Sequence, residues 1–119
     1  MQAGREIKFR AWDRKQSKMV DMNHLRHHAS GFRLLDEDRE YEFMQYTGLC
    51  DKNGKEIYEG DILFWDGGFK VYTTVRFKDG MFLAGDMPLY DCVDEEVIGN
   101  IYENPELLAA KSIMEGTKK

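Results

Sequence analysis

Three histidines, His24, His27 and His28, are all that this chain holds. Their i, i+3, i+4 spacing would line up imidazoles on one face of a helix, as a metal site requires. The pattern stops short of a site. Asn23 and Gly31 bracket too short a helix, and no carboxylate or cysteine lies among the three to complete a tetrahedral set. A solvated loop is the better reading, and no metal or other cofactor is expected. Lys8, Arg10 and Trp12 offer different chemistry. Basic residues interleaved with an aromatic on one strand face form a platform for single-stranded nucleic acid, where the ring stacks a base and the cations follow the phosphates. The same pattern also describes a solvated strand face on which Trp12 covers a neighbour. The net charge of −5 favours that second reading.

The remaining candidates are weaker still. Asp36-Glu37-Asp38 and Asp94-Glu95-Glu96 are acidic runs without the alternating ligand spacing of a calcium loop. The glycines form no phosphate-cradling pattern, and Ser17, Ser30 and Ser112 lack a nucleophile elbow. A thiol or histidine hydrolase built around Cys50 stays open only as a third option. A non-enzymatic protein is the expectation.

Size and composition support one globular core. A chain of 119 residues buries roughly 70% of its unfolded surface. Its 42% apolar and 33% charged content is globular rather than disordered. No apolar run approaches the roughly 20 residues of a membrane helix, so no membrane is expected as a partner. The opening MQAGREIKFR places charges where a signal peptide needs its apolar stretch, which points to the cytoplasm. Cys50 and Cys92 are too few for a disulfide framework and are read as thiols. Residues 1–35 hold eight Lys/Arg against three Asp/Glu, whereas 36–60 hold three against eight. Such opposite segments suit complementarity within or between subunits.

The elements that must position these residues are strands. Arg5 to Trp12 alternates, with Ile7, Phe9 and Ala11 on one side, and Lys18 to Met22 reads as its return strand. Residues 23–39, with Leu25, Phe32, Leu34 and Leu35, show no dominant period. Glu42 to Tyr46 and Glu56 to Tyr58 flank a turn at Asp51-Lys52-Asn53-Gly54, and Gly48, Gly54 and Gly60 punctuate the stretch. Ile62 to Trp65 is an apolar run expected to be buried on both faces. The strongest turn signal is Asp79-Gly80, whose type I′ form needs φ > 0 twice. It sets Phe77 opposite Phe82 on the core face and Arg76 opposite Leu83 on the reverse. A loop spans Gly85 to Asp94, and Glu95 to Tyr102 is the last strand. Asn104-Pro105-Glu106 then opens a helix that packs through Leu107, Leu108, Ile113 and Met114 and stops at Gly116. The fold expected is mainly β, with twisted antiparallel hairpins forming a small barrel or open barrel and a short C-terminal α-helix.

Three blocks in fixed order carry a family resemblance. They are Ile7 to Asp13 (IKFRAWD), Gln45-Tyr46-Thr47-Gly48-Leu49 through Tyr58-Glu59-Gly60-Asp61-Ile62, and Val97 to Leu107 (VIGNIYENPEL). Together they resemble the YopX family, small proteins encoded by phages and prophages and without a settled function. Two departures stand out: residues 1–4 stand before the blocks as an extra start, and Cys50 replaces a charged residue. Residues 117–119 are expected to fray. The resemblance implies one strand-rich intracellular domain that assembles with itself, and it supplies no catalytic motif.

The expected function is therefore that of a phage or prophage protein acting through binding or homo-oligomeric assembly, with a host or phage protein as a further partner. The alternative is a nucleic-acid-associated replication accessory or anti-defence factor using the Lys8, Arg10 and Trp12 face. For self-association the candidate interface is Phe43, Tyr46, Tyr58, Phe64 and Trp65, in a stretch that holds more large apolar surface than a small core easily covers.

Overall fold

Alternating side chains and glycine-led turns build a chain that is mainly β. The structure, a computed structural model, describes residues 6–23, 41–91 and 94–108, which form two units, residues 1–46 and 47–119. In the first unit, β1 (Phe9–Asp13) lies between β2 (Lys18–Asp21) and the start of β3 (Tyr41–Cys50), both antiparallel to it. Ala11 sits at the centre, opposite Val20 on one side and Phe43 on the other. Ala11 and Val20 are buried, and Tyr41 packs against them. Asp13 closes the β1–β2 turn by accepting hydrogen bonds from the Lys15 and Gln16 N–H groups at 2.9 and 3.1 Å. The first strand begins later than its alternation suggests. Its pairing with β3 starts at Phe9, so Ile7 lies beyond that ladder and is exposed rather than on a buried face.

In the second unit, β3 leads into β4 (Glu56–Tyr58) through a turn in which Gly54 adopts φ +84°. Then comes a five-stranded antiparallel sheet of β5 (Asp61–Asp66), β6 (Lys70–Lys78), β7 (Met81–Ala84), β8 (Met87–Pro88) and β9 (Glu96–Asn100). Its order is β8-β7-β6-β5-β9, so the last strand joins the edge beside β5. A 3-10 turn at Leu89–Asp91 occupies the segment expected to be loop. Ile57, Leu63, Val75, Ala84, Leu89 and Val97 form the core, with Phe82 packed against it. The run at the start of β5 is buried on both faces as expected at Ile62 and Leu63, while Phe64 and Trp65 are only half-buried.

The β6–β7 hairpin follows the expected register residue for residue: Lys78 faces Met81, Phe77 faces Phe82 and Arg76 faces Leu83. Asp79 and Gly80 take φ of 54° and 80°, as a type I′ turn requires. One detail differs. Phe77 is 52% exposed because β5 pairs with β6 only as far as Thr74, and among the described residues no further strand lies beneath the hairpin tip. At the other end of the unit, residues 105–108 are helical. The expected packing residues Ile113 and Met114 and the stop at Gly116 lie outside the described residues.

Candidate functional site

Buried polar groups are where a folded domain would hold chemistry, and among the described residues four supply them: Asp13, Asp51, Asp61 and Asn100. Each is engaged with backbone. Asp51 accepts from the Asn53 and Lys55 N–H groups through Oδ1 at 2.8 and 2.9 Å, which closes its own turn. Its Oδ2 accepts from the Val97 N–H at 2.8 Å, tying that turn to β9. Burial alone pushes the Asp51 carboxyl up. The three N–H donors from Val97, Lys55 and Asn53, together with the Lys55 charge, outweigh it and hold the group below the usual carboxylate range. Asp61 accepts from the Tyr58 N–H at 2.8 Å. Asn100 accepts through Oδ1 from the Tyr102 and Glu103 N–H groups and donates through Nδ2 to Glu103. These residues are clasps between turns and strands, and they present no acid–base pair.

Glycines complete the same clasps. A Cβ on Gly99 would stand 2.4 Å from Asn104 Oδ1, the atom that accepts the Asn100 N–H. The Val97 to Leu107 block therefore reads as one folded corner, with Asn104 serving both β9 and the start of the helix.

The basic strand face is partly engaged. Lys8 pairs with Glu6 at 3.6 Å and its Nζ lies 5.1 Å from the centroid of the Tyr46 ring, while Arg10 and Trp12 are half-buried. His24, His27 and His28 lie outside the described residues, as do Asp36-Glu37-Asp38 and Cys92. Among the described residues no three His, Cys, Asp or Glu side chains gather where a metal could sit, and no helix is long and apolar enough to cross a membrane. Cys50 carries an exposed thiol outside any disulfide. Of the candidate interface, Phe43 is the most open, and Tyr46, Tyr58, Phe64 and Trp65 are half-buried.

One concavity in the second unit was not foreseen from sequence. It measures about 400 Å³ and is lined by Trp65, Phe69, Val71, Thr73, Ala84, Met87, Asp94 and Glu95. The turn between β5 and β6 builds its aromatic wall. Trp65 folds its ring over Gly67, where a Cβ would come within 2.1 Å, and meets Phe69 edge-on at 5.5 Å between centroids. Glu95 is fixed by a 3.3 Å hydrogen bond from the Thr73 hydroxyl. The available signal was the run Trp65 to Phe69, two aromatics around Gly-Gly, which the sequence marks only as a turn.

The YopX protein family matches residues 8–109, which takes in all three blocks except Ile7 and every described strand. The chain belongs to the YopX family. As a YopX-family member it is also similar in fold to protein EF1440 from Enterococcus faecalis, whose crystal structure superposes with a TM-score of 0.68 at 29% identity. That similarity covers 88% of this chain and 99% of the other. No protein of curated function matches it. What the YopX blocks encode in this chain is visible in the geometry. The Tyr58 to Ile62 block supplies the Asp61 clasp, and the Val97 to Leu107 block supplies the Asn100 and Asn104 corner.

Proposed function

We propose that this YopX-family protein acts by binding, through self-association, and not by catalysis. The observation that carries this reading is the projecting β6–β7 hairpin. Its tip leaves Phe77 half exposed beyond the point where β5 stops pairing, on the same face as Phe82, and shows Met81 on the reverse face. Phe77 and Phe82 stack edge-on at 5.1 Å, which gives the tip a fixed apolar surface. Large apolar side chains grouped on a rigid element are costly to leave in water and mark contact surfaces. The opposite charges of residues 1–35 and 36–60 supply the potential that steers one copy to another. The engagement of the buried carboxylates in turns supports a binding role over an acid–base one. A phage or prophage setting in the bacterial cytoplasm goes with this reading.

Light scattering across a concentration series tests it. The expected mass is a multiple of 13.9 kDa, and Phe77→Asp with Met81→Asp should shift it toward the single-chain value. Phe43→Asp probes the first candidate interface in the same way. A single-chain mass at the highest concentration overturns the reading.

A further inference from the structure

The concavity beside the β5–β6 turn combines three features that meet one chemical demand. Trp65 and Phe69 give ring surface, Val71, Ala84 and Met87 give apolar lining, and the acidic residues Asp94 and Glu95 line the same concavity, with the Glu95 carboxylate held on Thr73. We infer that this pocket receives an arginine side chain presented by an exposed segment of a partner protein.

Charge complementarity selects the occupant. Among the described lining residues the two ionisable groups are both acidic, so the wall attracts a cation and repels an anion. Arginine suits all three features at once. Its planar guanidinium stacks on aromatic rings, its fork matches carboxylates, and its methylene stem lies against apolar side chains. Lysine offers a more strongly hydrated point charge and loses the stacking. The volume of about 400 Å³ lies in the range of specific ligand pockets and admits the side chain with part of the backbone that carries it. The site is also preformed. Trp65 is held against Gly67 and Phe69, and Glu95 is held by Thr73.

The inference is independent of self-association and is tested without it. The full chain is titrated with the blocked tripeptide acetyl-Ala-Arg-Ala-amide while the Trp65 indole N–H resonance, assigned with Trp65→Phe, is followed by NMR. The expected result is a saturable shift, with the isosteric citrulline tripeptide binding about fivefold more weakly because it lacks the charge. Asp94→Asn, at an exposed position, and Glu95→Gln, which retains an acceptor for Thr73, should each weaken the arginine tripeptide while leaving the melting temperature in place. No saturable shift overturns the proposal. Equal binding of the citrulline or the lysine tripeptide, or binding indifferent to both substitutions, overturns it as well.

Discussion

Asp51 shows how much a single carboxylate does in this fold. Its two oxygens take three backbone N–H groups, two from the turn it closes and one from β9, 46 residues away. Asp51→Ala would leave those donors without their acceptor, and a loss of about 2–4 kcal/mol is expected by urea denaturation. The pH dependence has a defined sign. The folded carboxyl is held below its unfolded value near 3.8, so its contribution is fully present above that value and is lost as pH falls through the folded one. Asp51→Asn should therefore flatten the acid limb of the stability curve below about pH 4, while an unchanged slope there would mean the carboxylate is not the group responsible. Its neighbour Cys50 is exposed and should be labelled by a thiol reagent in the folded protein without denaturant.

Hairpins and corners in this chain depend on backbone geometry more than on side-chain packing. Gly80 has φ +80° and nothing within 4 Å of a built Cβ, so Gly80→Val meets strain rather than a clash. The expected cost is about 1–2 kcal/mol, read as a lower denaturation midpoint with an unchanged m-value. Gly99 is the contrasting case. Gly99→Ala would drive a methyl into Asn104 and break the hydrogen bond from Asn100, so a loss of about 1–3 kcal/mol is expected. If Gly99→Ala proved as mild as an open surface site, the corner would not be the rigid joint that its hydrogen bonds describe.

For the molecule as a whole, self-association has a thermodynamic signature separate from mass. An assembly that forms only from folded chains stabilises them by mass action, so the melting temperature should rise with protein concentration. Calorimetry over about a hundredfold range would read it. A melting temperature independent of concentration would argue against assembly even if large species appeared by scattering.

Local chemistry determined most of the architecture. The Asp79-Gly80 turn fixed the β6–β7 register because only one two-residue turn accepts φ > 0 twice, and alternation then assigned every side chain to a face. Two of the three family blocks carry joints, because Asp51 and Asp61 in the second and Asn104 in the third answer backbone N–H groups that any such chain must satisfy. What escaped the sequence was whatever depends on where a neighbouring strand ends. Phe77 and Ile7 carry the alternation of buried residues, yet both are exposed, because β5 stops short of one and the β1–β3 ladder starts after the other. The pocket is of the same kind. Trp65 and Glu95 are 30 positions apart and meet in one wall only because β9 returns to pair with β5. Pattern reports which face a residue takes, and only the tertiary structure decides whether anything covers that face.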